Sequence, residues 1–213
     1  KFSIEELRPI RNGMTISRDS KLGNSTKVTY FSMGKDTSIS QESYDRMTMY
    51  IGASGWGEFI IGEEPEIIKL QPDELLIVPA GTLCGMQTSN GIVYTEIICT
   101  GKDINMNANV KTNEVFALKN LISYEEGSIA NMDVVSTPDM KYVLMAFDEG
   151  TGLTPHRAPG NAIVFALEGK ATIGYEGKDY ELSEGECFRF EKNGLHSVTA
   201  NGKFMMALLL VLE

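Results

Sequence analysis

The chain has two histidines, His156 and His196, and their imidazole rings are the side chains best suited to chemistry. Neutral imidazole binds divalent transition metals, and its two nitrogens also form hydrogen bonds with organic ligands. The stretch GLTPHRAPGNAIVFALEG (residues 152–169) has the spacing of a metal-binding motif around the first histidine. However, Ala158 and Ala162 stand where two further ligands are expected, and an alanine side chain binds no metal.

Three interpretations of the two histidines follow from this pattern. They line a ligand cavity as hydrogen-bonding groups without a metal, or they hold a divalent transition metal whose other positions are filled by water, substrate or another residue. In the third interpretation both histidines are structural. Catalytic zinc sites normally keep three protein ligands, so two imidazoles would hold a metal weakly. We therefore predict no tightly bound cofactor and allow for a weakly bound divalent transition metal.

The segments that must position these residues form an internal repeat, because the two halves of the 213-residue chain have matching sequence patterns. Residue n matches residue n + 114 through the first part of the chain, as Gly55 matches Gly169. The offset then becomes 112 and finally 111. These changes fall in turn-like segments, where insertions and deletions are tolerated best. We predict two similar domains, at residues 1–105 and 106–213.

Each half consists of short apolar segments separated by Gly, Asn and Asp, which is the pattern of β-strands in a sandwich or barrel. Short helical segments are expected only at residues 3–10 and 117–123, the equivalent entrances to the two halves. Within ECFRF (residues 186–190), the alternation of strand side chains directs Phe188 and Phe190 toward the interior. The sequence therefore predicts an all-β fold with two tandem barrels.

The same alternation predicts which strand residues point away from the interior. These are Cys187 and Arg189 in the second half, and Leu75 and Ile77 at the equivalent positions of the first half. Two exposed aliphatic side chains would form an apolar patch on the sheet that is prone to association. We therefore expect Leu75 and Ile77 to be covered by the other half or by a second subunit, which makes a homodimer an expected assembly.

The motifs of both halves resemble those of the cupins. Cupin motif 1 reads G(x)5HxH(x)3–4E(x)6G, and motif 2 reads G(x)5PxG(x)2H(x)3N. The second half matches these patterns at Gly150, His156, Gly169, Gly185 and His196. Its Ala158 and Ala162 replace the second histidine and the glutamate of motif 1, and this H-x-A-P run is similar to that of a group of small bacterial cupins.

The first half is similar to a degenerate cupin. Its motif 2 retains a proline and a glycine, whereas the four ligand places hold Glu42, Tyr44, Thr48 and Cys84. Glu42 and Cys84 occupy the places of His156 and His196, so they could face one another. Two interpretations stay open for that pair, either a cation or acid–base site or a pair of inert cavity residues.

The resemblance implies a two-domain cupin (bicupin), with two double-stranded β-helix (jelly-roll) barrels in tandem and a short helical segment at each entrance. We predict that it binds or senses a small organic ligand in the C-terminal barrel. The alternative is a metal-dependent enzyme (isomerase, decarboxylase or dioxygenase) that uses the two histidines as ligands, and a third class is a structural protein that associates through its outer sheets. In the predicted ligand site, His156 and His196 form the polar pair, and the apolar wall consists of Ala158, Ala162, Phe188 and Phe190.

The composition excludes several partners. The formal net charge is −10 and no basic stripe offsets it, so nucleic acid is excluded as a partner. No apolar run approaches the ~20 residues that a helix needs to cross a bilayer, so no membrane association is expected. The three cysteines have no CxxC spacing, which is typical of reduced thiols packed in a core. A cytoplasmic location is therefore predicted.

Overall fold

The computed structural model describes residues 1–23, 26–99, 101 and 103–212. Its elements in the first half are α1 (Ile4–Leu7), β1 (Thr15–Asp19), β2 (Lys27–Met33), β3 (Thr37–Ser43), β4 (Thr48–Gly55), β5 (Gly57–Ile61), β6 (Glu66–Leu70), β7 (Glu74–Val78), β8 (Leu83–Thr88) and β9 (Ile92–Ile98). The remaining elements are β10 (Asn105–Met106), β11 (Val115–Ala117), a 3-10 turn (Leu118–Asn120), β12 (Ile129–Ser136), β13 (Met140–Phe147), β14 (Gly152–Arg157), β15 (Asn161–Tyr175), β16 (Lys178–Ser183), β17 (Cys187–Phe190) and β18 (Leu195–Val211). The prediction of an all-β chain with short helical segments at the two entrances is confirmed.

The chain divides into two compact units. The N-terminal unit consists of residues 4–100 and 108–117, and the C-terminal unit of residues 1–3, 101–107 and 118–213. Compared with the predicted division between residues 105 and 106, each unit takes up a short segment from the other half of the sequence. Across the described residues, no helix is long and apolar enough to span a membrane.

The N-terminal unit is built from two antiparallel sheets. One has the strand order β1-β2-β9-β4-β7-β11 and the other the order β3-β8-β5-β6. Tyr50, Leu76 and Tyr94 from the first sheet pack with Phe59 and Met86 from the second in one buried cluster. The core of this unit therefore lies between its two sheets, which are open at their edges and do not close into a continuous ladder.

The C-terminal unit repeats this arrangement with longer strands. Its sheet has the order β10-β12-β13-β18-β15-β16, with β14 paired to β18 and β17 paired to β15. The 15-residue β15 corresponds to β4 and β5 of the first unit, and the 17-residue β18 corresponds to β8 and β9. Phe147, Phe188 and Phe204 are among the residues of its buried core.

Backbone conformation supports the predicted internal repeat independently of sequence identity. A positive φ is uncommon for residues other than glycine, so its recurrence at matched positions is a specific signal. Seven such positions recur at the offsets of 114, 112 and 111 that the sequence gives. They are Gly13/Gly127, Asp36/Gly150, Gly55/Gly169, Gly62/Glu176, Asp73/Gly185, Gly81/Asn193 and Gly91/Gly202. The two units therefore share their turns as well as their strands, even where glycine is replaced in one copy.

Each unit includes a short segment from the other half of the sequence, residues 1–3 in the C-terminal unit and residues 108–117 in the N-terminal unit. These two segments make equivalent pairings. Phe116 on β11 pairs with Leu75 on β7, and Phe2 forms a two-way backbone bridge with Cys187 on β17. Phe2 and Phe116 differ by 114 positions, and Leu75 and Cys187 by 112, so the two pairings are copies of one another. In both units, these backbone hydrogen bonds satisfy one edge of the strand that carries motif 2.

The burial of the motif 2 strands follows the predicted alternation only in part, because Cys187, which is predicted to point away from the interior, is buried as well, where Phe2 pairs with it. Phe188 and Phe190 belong to the core of the C-terminal unit, while Arg189 is half-buried and forms a 2.8 Å salt bridge with Glu191. Leu75 and Ile77 lie on the opposite face of β7 from the core residues Leu76 and Val78, yet both are fully buried. The outer face of β7 is therefore covered within a single chain.

Candidate functional site

The structure brings the two histidines into direct contact. His156 on β14 and His196 on β18 are register partners, and their ring centroids are 4.2 Å apart. The Nδ1 atom of His156 lies 2.8 Å from the carbonyl oxygen of Thr154, and that of His196 lies 3.1 Å from the carbonyl oxygen of Gly194. Because a carbonyl oxygen only accepts hydrogen bonds, each Nδ1 donates, and in the neutral form of each ring the lone pair is then on Nε2.

The environments of the two rings differ. His196 is buried and stacks on Phe190 with 4.1 Å between ring centroids, whereas His156 is exposed. Burial lowers the pKa of His196, the hydrogen bond to Gly194 opposes this effect, and the proximity of the His156 ring adds to the lowering. His196 is therefore held as neutral imidazole, the form that can accept a hydrogen bond or bind a metal.

The four apolar residues of the predicted site lie in the core of the C-terminal unit. Ala158, Ala162, Phe188 and Phe190 are all buried, and Ala162 pairs with Phe190 across β15 and β17. A pocket of about 180 Å³ adjoins His196 at the surface. Its lining residues are Pro155, Gly174, Tyr175, Gly177, Lys178, Asp179, Leu195, His196 and Ser197. None of the four apolar residues lines this pocket, and the predicted ligand role of the six residues stays a prediction.

The metal-binding capacity of the histidine pair is limited by its neighbours. Within the described part of the chain, no group of three or more His, Cys, Asp or Glu side chains is arranged to hold a metal ion. The two Nε2 atoms supply two ligands, one fewer than catalytic zinc sites normally have. The predicted absence of a tightly bound cofactor, with a weakly bound divalent transition metal allowed for, stays a prediction.

The equivalent place in the N-terminal unit holds a second pair. Glu42 on β3 and Cys84 on β8 are register partners, and a register shift precedes Glu42 as one precedes His156. The predicted facing of Glu42 and Cys84 is therefore what the structure shows. The pair lies beside a cavity of about 90 Å³, which we call the N-terminal cavity. Its lining residues are Phe31, Ile39, Ser40, Glu42, Tyr44, Tyr50, Phe59, Cys84, Gly85, Met86, Tyr94 and Glu96.

Glu96 is the distinctive group of the N-terminal cavity. It lies on β9, is only 5 % exposed and is hydrogen-bonded to Tyr44. Burial raises the pKa of Glu96 from an ordinary value of 4.5 to about 7, and the charge of Lys27 and the hydrogen bond from Tyr44 oppose this rise. Glu96 therefore exchanges its proton near neutral pH, which is a property common at functional sites.

Aromatic rings form much of the remaining wall. The rings of Phe31 and Tyr94 stack in parallel with centroids 5.1 Å apart, and those of Tyr50 and Phe59 are 4.7 Å apart. Because Phe31 and Tyr94 come from neighbouring strands of one sheet, while Phe59 comes from the other sheet, the rings enclose the cavity from two sides.

The cysteine of the cavity is poorly suited to nucleophilic chemistry. Burial raises the pKa of the Cys84 thiol to about 11, and a hydrogen bond from the Tyr50 hydroxyl only partly offsets this effect. The thiolate is the nucleophilic form of cysteine, so at neutral pH the Cys84 side chain is unreactive. This agrees with the interpretation of Cys84 as an inert cavity residue.

Sequence reasoning missed Glu96. The signal was present in GIVYTEIICT (residues 91–100), where one carboxylate interrupts an otherwise apolar strand. Strand alternation places Glu96 on the same face as Ile92 and Tyr94, which belong to the core. A lone acidic residue on the inward face of a core strand is therefore the pattern that could have identified it.

Comparison with known proteins agrees with this architecture. Residues 143–212 match the family model described as Cupin domain. A Cupin 2 conserved barrel domain protein from Leptotrichia buccalis is 24 % identical, with a TM-score of 0.86 over 98 % of this chain and 94 % of that one. No curated protein sequence matches the chain.

Salicylate 1,2-dioxygenase from Pseudoaminobacter salicylatoxidans is a more distant structural neighbour. Its structure with gentisate adducts is 11 % identical, with a TM-score of 0.70 over 97 % of this chain and 76 % of that one. A second structure of that enzyme is 10 % identical, with a TM-score of 0.67 over 88 % of this chain and 71 % of that one. These likenesses define an all-β protein with the cupin fold, whose residues 143–212 carry the Cupin domain pattern.

Proposed function

We propose that this chain is a small-molecule-binding cupin whose ligand occupies the N-terminal cavity. One observation supports this above all others, namely the buried carboxyl group of Glu96 at an aromatic-lined cavity. Removing a carboxylate from water is costly unless charge or hydrogen bonding compensates for it. A small concave site with apolar walls and a few placed polar groups is typical of ligand binding.

The proposal keeps the function predicted from the sequence and moves its site. In the C-terminal unit, Ala158, Ala162, Phe188 and Phe190 are all buried and belong to one core cluster. In the N-terminal unit, the ligand places hold Glu42, Tyr44, Thr48 and Cys84, and three of these line the cavity. The half that resembles a degenerate cupin is therefore the better candidate for binding. The predicted cytoplasmic location and homodimer stay predictions.

Filling the N-terminal cavity is expected to abolish binding. A ligand-observed NMR screen of small amines, alcohols and carboxylic acids identifies compounds that bind the wild-type protein. Cys84→Phe places a ring in a cavity of only about 90 Å³, so these compounds should no longer bind. Ser40→Phe is a second cavity-filling variant in case Cys84→Phe is unstable.

The matched control is His196→Phe, because Cys84 and His196 occupy equivalent positions. This variant should retain binding. Loss of binding in His196→Phe but not in Cys84→Phe would place the ligand in the C-terminal unit instead. Failure of every compound in the screen to bind the wild-type protein would overturn the proposed function.

The second candidate function is a metal-dependent enzyme with His156 and His196 as ligands. The hydrogen bonds of both Nδ1 atoms favour it, because they leave both Nε2 atoms able to bind a metal. With two ligands, we expect a divalent transition metal to bind weakly and to be lost during purification.

Elemental analysis of untagged protein after gel filtration tests this expectation. The measured metal content should be far below one ion per chain. The same measurement after reconstitution with zinc or iron, on wild-type protein and on His156→Ala, identifies the site. A stoichiometric metal that survives gel filtration and disappears in His156→Ala would favour the enzyme.

A further inference from the structure

The charged residues that line the N-terminal cavity are all acidic. Glu96 lies buried at the cavity and Glu42 is exposed at its rim, while none of the described lining residues is Lys, Arg or His. The cation that acts most on Glu96 is Lys27, an exposed residue of β2 that does not line the cavity. A ligand inside therefore meets carboxyl groups and no compensating positive charge from the lining.

The aromatic residues of the cavity wall also favour a positively charged ligand. Phe31, Tyr44, Tyr50, Phe59 and Tyr94 make five of the twelve lining residues aromatic. The face of an aromatic ring carries partial negative charge and attracts cations, most strongly where water is excluded. The rings and the carboxyl groups thus favour the same sign of ligand charge.

We propose that the ligand of the N-terminal cavity is a small organic cation of the ammonium class, with its charged nitrogen at Glu96 and its apolar groups against the aromatic rings. This inference rests on the proposed function, since it specifies the ligand of the same site. The cavity volume of about 90 Å³ restricts the ligand to a compact molecule with few non-hydrogen atoms.

Ligands of other charge fit this site less well. A carboxylate would lose its hydration and meet Glu96 and Glu42 without a cationic partner among the lining residues. A neutral alcohol can accept a hydrogen bond from protonated Glu96 or donate one to its carboxylate, but it carries no net charge for the carboxylate and the ring faces to attract. The site therefore selects by charge in addition to size.

Binding of a cation should also displace a proton. The groups that face or influence Glu96 are Tyr44, Tyr50, Tyr94, Cys84, Glu42 and Lys27. The tyrosines and the cysteine have raised pKa values and stay neutral near neutral pH, so Glu96 is the buried group that titrates there. An ammonium ion at Glu96 favours its ionised form, so binding at a pH below about 7 releases the proton of Glu96.

A charge series with a shared isopropyl group tests the inference. Isopropylammonium, 2-propanol and isobutyrate are titrated into the wild-type protein, and binding is followed by the NMR signals of the cavity aromatic residues. Isopropylammonium should bind about tenfold more tightly than 2-propanol, and isobutyrate more weakly than either. Glu96→Gln should remove the advantage of the cation and leave the binding of 2-propanol nearly unchanged. Glu66→Gln, on an exposed position of β6, is the matched control and should retain the advantage.

Calorimetry in buffers of different ionisation enthalpy measures the displaced proton. Proton release with isopropylammonium should approach about one per site near pH 5.5 and fall toward zero near pH 8.5. Equal or tighter binding of 2-propanol or isobutyrate would overturn the cation inference and leave the proposed function intact. Cation binding that is unchanged in Glu96→Gln, or reduced equally in Glu66→Gln, would show only general attraction to an acidic protein and would also overturn it. If none of the three compounds perturbs the cavity signals, both the inference and the proposed site are wrong.

Discussion

Replacing Leu75 and Ile77 together by aspartate is expected to unfold the N-terminal unit. Both side chains are 0 % exposed, although they lie on the face of β7 that points away from the core residue Leu76. Each substitution forfeits about 1.5–3 kcal/mol of apolar burial. Each also adds a penalty of several kcal/mol for an unpaired buried carboxylate. The sum approaches the entire stability of a typical domain, about 5–15 kcal/mol.

Thermal unfolding and gel filtration measure this effect. The double variant should show no cooperative transition at the parent temperature and should elute as aggregate. Ile67→Asp is the matched control, because Ile67 lies on β6 of the same unit and is 63 % exposed. A double variant with the elution volume and Tm of the parent would mean that the outer face of β7 is open to solvent.

The repeat and its strands could be predicted because their causes are local. A tight turn with positive φ demands glycine, asparagine or another tolerant residue at a fixed place, so turns keep their register when strand residues diverge. Gly81 and Asn193 show this, since they share a conformation at the predicted offset of 112. Alternation likewise identified the inward side chains of β17, because that pattern depends only on the period of a strand.

The pairing of residues 1–3 within the C-terminal unit, and of residues 108–117 within the N-terminal unit, could not be predicted in the same way. Phe2 pairs with Cys187 and Phe116 with Leu75 through backbone hydrogen bonds, which carry almost no side-chain signature. Which strand edge a distant segment joins depends on non-local packing, and sequence spacing does not report it. The predicted division between residues 105 and 106 therefore does not coincide with the boundaries of the packed units.

The sequence predicted which residues pair at the candidate sites, but it did not predict the volume of the cavity beside each pair. Motif spacing on neighbouring strands was enough to bring His156 against His196, and Glu42 against Cys84. Whether space remains beside such a pair depends on how every neighbouring side chain packs. Ala158 was predicted to line a ligand site, and in the structure it belongs to the same buried core cluster as Phe188 and Phe190. The position of Glu96 was readable, whereas its burial and its raised pKa arise only from the folded environment.

Glu96 is expected to make the protein less stable as the pH rises from about 4.5 to about 7. Because the folded-state pKa is raised, the folded protein keeps a proton in this range that the unfolded chain has already released. The stabilising effect of the protonated form is thus complete below the unfolded pKa and is lost as the pH rises through the folded pKa. At 1.36 kcal/mol per pKa unit, this shift corresponds to about 3 kcal/mol.

The variant Glu96→Gln should remove this dependence, because the amide stays neutral at every pH while it keeps the shape of the side chain. Urea unfolding of the variant and the parent should give similar free energies near pH 4, and the variant should be more stable by about 3 kcal/mol near pH 8. Glu66→Gln changes an exposed carboxylate of the same unit and should behave like the parent at both pH values. A parent protein whose stability does not fall relative to Glu96→Gln between these pH values would mean that Glu96 is ionised and solvated in the folded state. In that case the proton release expected on cation binding would be absent as well.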